Sequence, residues 1–288
     1  MAQVIVNGLY LGAQYALIAL GLTLIFALMN VLNFAHGQMY VLGAFVTYAV
    51  YGQLGLPFVA ALAASGLTLM AVGALVERFL FRPVIRRSAR EESTMLLAAA
   101  IAFFLDAVIL LLFGEKQRGV PKIVKGVFVS DAVIIPYDRV VVGVIAVLLI
   151  AAFMLFMQLS RPGRAMRALA QDRVAAQLMG VDVDRYSMLG FALGAMLAGL
   201  VGGLLVTITG VNSGIGGAVS VKAFLMVMLG GAGVVGGAIA GGFLLGMMES
   251  VGLTVLAGYG DITYLVIFAA LMIFLAIRPQ GLMGKPWG

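Results

Sequence analysis

Cysteine is absent from this 288-residue chain, histidine occurs once, and Lys, Arg, Asp and Glu together make up only 10% of it. Without cysteine there is no disulfide and no thiolate metal site, and one imidazole leaves a His-based site short of ligands. The sequence therefore calls for neither metal nor cofactor. No charged residue precedes Glu77, so the first quarter of the chain offers nothing that a bilayer rejects strongly. No GxxxxGK[ST] stretch is present, which removes the loop needed to cradle ATP phosphates. No nucleophile elbow or comparable serine motif stands near the lone His36, so an intramembrane hydrolase is a poor reading.

What remains is apolar. Hydrophobic residues make up 63% of the chain and mean hydropathy is +1.14, far above the level of a water-soluble domain. The apolar runs are continuous and often exceed the roughly 20 residues a spanning helix needs, whereas a barrel strand would alternate over about ten. The expected fold is an all-α membrane protein with a single transmembrane domain over residues 1–288. Its 38 glycines suit close helix packing in lipid. The formal charge of +6 sits in loops beside the membrane, where basic residues set orientation and meet lipid headgroups rather than nucleic acid.

Along the chain, Val4 to Met29 is a first span, too long for a signal-peptide core. Residues 30–37 break the hydrophobic run with Asn30, Asn33 and His36, and Gln38 to Tyr51 and Pro57 to Phe81 follow as further apolar segments. Arg78, Arg82, Arg86, Arg87 and Arg90, beside Glu77, Glu91 and Glu92, mark a cytoplasmic loop at 82–93 by the positive-inside rule. Residues 114–139 pair β-branched residues with turn formers, which predicts a small external β-hairpin despite Lys116, Arg118, Lys122, Lys125, Asp131 and Asp138. Val140 to Leu159 leads to a polar island at 160–186, and residues 187–278 hold the last helices, with Val219 to Leu229 as a short or broken crossing. Arg278 and Lys285 close the chain on the cytoplasmic side. About eight crossings result, with the N-terminus outside.

Each half contains an interrupted segment, Asn30 to Tyr51 and Asn212 to Gly237, which hints at an internal repeat. Broken helices at matching places point to a transport site near the midplane, where freed helix ends offer N–H and C=O groups to a solute. Asn30, Asn33, His36, Asn212 and Ser213 are the candidate pathway residues. For His36, satisfying the broken backbone is the stronger reading. Gly233, Gly237 and Gly241 recur every four residues and predict a flat packing strip on one helix. Asp106, Lys222 and Glu249 lie in or near apolar runs, where an unpaired charge costs about 2.5 to 3.5 kcal/mol on insertion scales. They are read either as counter-charges or a helix latch or, for Lys222 and Glu249, as span-end residues reaching toward water.

In the island, Pro162 fits a helix start and Gly180 a helix stop, which predicts one helix of about four turns from Arg164 to Met179. Met166, Leu169, Ala170 and Leu178, with small Ala175 and Ala176, supply an apolar face; Arg164, Arg167, Asp172 and Arg173 supply charge. Such a helix either lies on lipid headgroups or docks against a soluble partner.

Three separated stretches carry a resemblance: NFAHGQMYVLGAF (Asn33 to Phe45), GRAMRALAQDRVAAQLMGVDVDR (Gly163 to Arg185) and KAFLMVMLGGAGVVGGAIAGG (Lys222 to Gly242). In this order they resemble the branched-chain amino acid ABC transporter permeases, in length and span order the smaller of that system's two permease subunits. The resemblance covers nearly the whole chain. It implies the ABC importer permease fold, the bacterial inner membrane, a second non-identical permease subunit, two ATP-binding cassette ATPase subunits and a periplasmic amino-acid-binding protein. The substrate it implies is leucine, isoleucine or valine. The island then corresponds to the family's coupling helix, which assigns ATPase contact to Arg164, Arg167, Leu169, Asp172, Ala175, Ala176 and Gly180. The Glu-Ala-Ala signature of many permeases is not literal here; Val174, Ala175, Ala176 and Gly180 match only its small-residue core. Related permeases carrying urea or short amides share these motifs. An ion-coupled secondary transporter would rest on Asp106 and Glu249 alone.

Overall fold

The first helix, α1 (Ala2–Met29), has neither charge nor proline to stop it over 28 residues and ends where Asn30 takes a left-handed conformation at φ 53°. Asparagine tolerates that conformation better than most side chains. The computed structural model describes residues 1–88, 91–130, 133–256 and 260–284, without the side chains of Glu91 and Asp261. Arg90, Asp131 and Lys285, used above to orient the chain, lie outside the described residues, as does the Glu91 side chain.

After Asn30 the chain turns back along α1 without helical structure. His36 Nε2 lies 3.2 Å from the Ile18 carbonyl, a level about 16 Å up α1 from Met29 at 1.5 Å per residue. The second helix, α2 (His36–Thr47), thus begins half-way through the bundle and continues as a π-helical segment, Tyr48–Gln53. Helix α3 (Phe58–Val76) runs through a second π-helical segment, Glu77–Phe81, into α4 (Arg82–Arg87). The predicted loop at 82–93 is therefore too long: helix persists to Arg87. Its charges are satisfied in place, since Arg82 reaches Glu77 Oε2 at 2.7 Å and donates to the Asp184 carbonyl at 3.0 Å, and Arg86 pairs with the Asp184 carboxylate.

Helix α5 (Glu91–Phe113) leads to the hairpin, β1 (Val127–Ser130) antiparallel to β2 (Val133–Pro136), with Val127 opposite Pro136 and Ser130 opposite Val133. Then follow α6 (Tyr137–Leu159), the island helices α7 (Arg161–Gln171) and α8 (Arg173–Leu178), and α9 (Val183–Thr209). A 3-10 turn at Ser213–Ile215 opens α10 (Gly216–Gly230), and α11 (Val235–Val255) and α12 (Gly260–Ile277) complete the fold. The short crossing read at Val219 to Leu229 is extended at its N-terminal side. Among the described residues seven helical segments are long and apolar enough to cross a membrane, and Ile262–Ile277 is a shorter apolar helix. About eight crossings is the right scale.

The core is built around α1. Leu17, Leu20, Leu22, Leu24 and Ile25 are buried on every side of it, which fits a helix surrounded by protein rather than lipid. Helix α11 packs antiparallel to α1 through small residues, with Gly246 against Gly12 and Gly242 against Ala16. Helices α2 and α3 pack on α9, where Ser65 Oγ lies 3.0 and 2.8 Å from the carbonyls of Gly43 and Gly199. By contrast α5 and α6 expose Phe103, Phe104, Leu111, Val144 and Leu148, the surface expected toward lipid or another membrane chain.

The predicted glycine strip needs one correction. Gly237 and Gly241 lie on α11 and meet the carbonyls of Gly230 and Met226 on α10 so closely that a Cβ would overlap them. Gly233 instead sits in the turn between the two helices, at φ 79°. The turn needs a left-handed residue there, which glycine supplies without a Cβ clash, and the four-residue repeat misplaced it on the helix.

Candidate functional site

The two interrupted segments meet. At the start of α2, Asn33 Oδ1 accepts from Ala35 N at 3.1 Å, while the Asn33 carbonyl accepts from His36 N at 3.1 Å. Gly37 N donates to Ser220 Oγ on α10 at 2.9 Å, and that hydroxyl donates to the Phe34 carbonyl at 2.9 Å. A Cβ on Gly37 would overlap the Gly216 carbonyl. Helix α2 rises from this level toward the hairpin face and α10 descends from it toward the arginine-rich face, so their N-terminal ends converge inside the bundle. Each end carries partial positive charge from its unpaired N–H groups.

The two starts differ in exposure. Asn33 and His36 are fully buried. His36 spends Nε2–H on Ile18, and its Nδ1 has no partner among the described residues. Neither side chain reaches an open surface: His36 satisfies backbone at the break, as the stronger reading had it, and for buried Asn33 the expectation that it lines a path gives way. Asn212 is half-buried and its Oδ1 accepts from Gly214 N at 3.1 Å, while Ser213 is buried beside it. Gly214, Gly217 and Ala218 are exposed, and no atom stands within 4 Å of a Cβ built on Gly217. The open ground is the start of α10. Asn30 stands apart from all four, exposed at the foot of α1 on the rim of a cavity of about 780 Å³ that is also lined by Met166, Arg167, Gly233 and Gln280.

Beside the α10 start, Gln38 Nε2 donates to Asp106 Oδ1 at 3.1 Å, linking α2 to α5. The Gln38 Oε1 is buried without a partner among the described residues and packs against Gly216. Further along α10, Lys222 Nζ lies 3.0 and 3.1 Å from the Glu249 carboxylate oxygens and 2.9 Å from Tyr15 Oη, which donates to Glu249 at 2.5 Å. Tyr264 donates to the same carboxylate at 2.8 Å. Lys222, partly exposed, and Glu249, buried, are therefore not separate span-end charges; they close a cluster that joins α1, α10, α11 and α12. Sequence spacing cannot show such a pairing, because the partners lie 27 and 207 positions from Lys222.

The island is two helices rather than one. Ser160 Oγ accepts from Gly163 N at 2.9 Å and caps α7. At Asp172 the backbone is extended, and Oδ1 accepts from Val174 N and Ala175 N, both at 2.9 Å, starting α8. A short acidic side chain that satisfies two amides competes with helix continuation. Gly180 ends α8 at φ 84°, with Val181 N bonded to the Ala176 carbonyl and Gly180 N to that of Gln177, a Schellman arrangement. Met166, Leu169 and Ala176 are buried, so Leu169 and Ala176 face this chain's own bundle and are withdrawn from the contact set. Arg164, Arg167, Asp172 and Ala175 are exposed, as are Val174, Leu178 and Met179, the last two more than four-fifths.

Residues 4–276 match the family described as "Branched-chain amino acid transport system / permease component". The chain belongs to that family. The branched-chain amino acid transport permease BraD of Pseudomonas aeruginosa is 36% identical over 99% of this chain and 96% of its own. LivH of Escherichia coli K12, named likewise, is 33% identical with the same coverage. LivM of Salmonella typhimurium, a permease of the same kind of system, is 26% identical over 93% of this chain and 67% of its own. Family membership and the apolar helices make this permease a multi-pass inner-membrane protein.

Proposed function

We propose that this permease forms half of the translocation path of an ATP-driven importer of leucine, isoleucine and valine, paired with a second, non-identical permease. Of the two ATPase subunits, one docks on α7 and α8 of this chain, and a periplasmic binding protein delivers the amino acid. The observation that carries the reading is the convergence of two helix starts inside the bundle, one sealed by Gly37 and Ser220 and the other open at 214–218. Positive helix ends at mid-membrane suit a carboxylate-bearing solute. The likeness to both BraD and LivM supports an unlike pair, and the names of these relatives support the substrate.

The arginine-rich face is cytoplasmic on the positive-inside rule, which puts α8 where a soluble ATPase meets it. Val174, Leu178 and Met179 stand out from a charged segment, and a docking cleft that covers them removes that apolar surface from water. Asn212 and Ser213 hold the backbone of the open start, while Asn30 belongs to the cytoplasmic cavity. Nucleotide-driven closure of the ATPase pair moves α7 and α8 and shifts access between the two faces.

The test is ATP-dependent leucine uptake by the assembled transporter in proteoliposomes. Leu178→Asp should cut uptake at least tenfold while the permease pair still assembles. Uptake unchanged by Leu178→Asp and by Ala175→Arg together would remove the coupling assignment, and leucine uptake without ATPase subunits would remove the importer.

A further inference from the structure

At the open start of α10 an acceptor pair stands next to a donor end. Asp106 is half-buried on α5 and its Oδ1 already accepts from Gln38, which fixes the carboxylate in place. Gln38 is 6% exposed, and its Oε1 has no partner among the described residues although it lies against Gly216, the first residue of α10. A buried amide oxygen without a donor is costly, and a site that leaves one unmet is arranged for a donor that arrives with a ligand. Asp106 and Gln38 Oε1 together ask for a cation rich in N–H groups. The first-turn N–H groups of α10, at the positive end of a 15-residue helix, ask for an anion. Gly217 and Ala218, in that first turn, are exposed, and a Cβ at 217 would meet nothing within 4 Å.

From this we infer that Gln38, Asp106 and the first turn of α10 form a clamp for a zwitterionic amino acid. The α-ammonium is taken by Asp106 and Gln38 Oε1, and the α-carboxylate by the exposed amides at 217 and 218. The aliphatic side chain then lies along the exposed Ala218 and Val221 of α10, where no polar group reads it. Such a clamp recognises the backbone of the substrate and accepts any aliphatic side chain, which leaves finer selection to other subunits. Gln38 is a positioning residue as well as a ligand, because its Nε2 holds Asp106.

This inference rests on the amino-acid importer reading, and its test separates the two. Leucine uptake is measured in the assembled transporter for the wild type, Asp106→Asn, Asp106→Glu and Gly217→Leu, with the melting temperature of each complex. Asp106→Asn keeps an acceptor for Gln38 and removes the charge, so uptake should fall at least tenfold with melting unchanged. Asp106→Glu should restore a measurable part of it. Gly217→Leu, whose Cβ meets no neighbour, extends into the open side of the first turn and should block uptake in a folded complex. Wild-type uptake of leucine matched within twofold by Asp106→Asn overturns the clamp and leaves the importer standing. The clamp is also overturned if Asp106→Asn lowers melting along with uptake and Asp106→Glu rescues neither, since the carboxylate then serves only the fold. A wild-type complex that carries neutral amides but not leucine overturns the importer reading itself.

Discussion

The two helix starts inside the bundle each follow a polar or glycine break in an apolar run, and they differ in environment. At the start of α2 every group is enclosed: Asn33 and His36 are fully buried, Gly37 lies against the Gly216 carbonyl, and Ser220 supplies the partner for the freed amide. At the start of α10 the same level of the bundle is open at Gly214, Gly217 and Ala218. One break is locked by protein and the other is left for a solute. A polar interruption in an apolar run is thus no guide to function by itself; what decides is whether neighbouring helices have already satisfied the groups it frees.

The strongest way to break this comparison is to exchange the treatment of the two glycines. Gly37→Leu should abolish folded protein, because its side chain meets the backbone of Gly216 and the Ser220 hydroxyl with no flexible neighbour to yield. Gly217→Leu should give normal yield in detergent. Equal yields for both variants would show that the α2 start is not sealed.

A second, smaller effect concerns what fixes α10 while its first turn stays open. Lys222→Met leaves the buried Glu249 without its cation, which should destabilise the permease by roughly 3–5 kcal/mol. Lys222→Met with Glu249→Gln should recover most of that loss, since the neutral amide oxygen accepts from one tyrosine hydroxyl and its NH2 donates to the oxygen of the other. Denaturation of the purified permease by increasing detergent harshness reads both. No difference between single and double variants would mean that the cluster is not a coupled unit.

The smallest effect separates the two asparagines. Asn33→Ala removes a buried acceptor for Ala35 N and should cost about 1 kcal/mol, as for a hydrogen bond lost in the interior. Asn212→Ala loses a bond at a half-exposed turn, where water replaces the partner, and should cost a few tenths of that figure. Thermal unfolding that ranks them the other way would reverse the assignment of the sealed and open starts.

Much of the frame was legible from composition and local signals. Continuous apolar runs gave the spans, β-branched pairs between turn residues gave the hairpin at 127–136, and Pro162 with Gly180 bounded the island. Side chains acting across the bundle were not legible. Asp172 looked like one more charged residue within a helix because nothing in its neighbours announces that its carboxylate will take two amides. Gly233 fell into a four-residue rhythm that continues through a turn. Gln38 stood in a motif without a charge beside it, and its role depends on α5 arriving 68 positions later. The partners of Lys222 are remote too, 27 and 207 positions away.

The absence of cysteine from the chain allows the contrast between the two starts to be read directly. Ala35→Cys and Ala218→Cys, each placed singly in the assembled transporter, would be treated with a membrane-impermeant thiol reagent from either side, with and without leucine-loaded binding protein. The account predicts that Cys at 218 reacts and is slowed by substrate turnover, whereas Cys at 35 stays inert throughout. Labelling at 35, or labelling at 218 indifferent to substrate, would contradict the claim that the start of α10 alone borders the path.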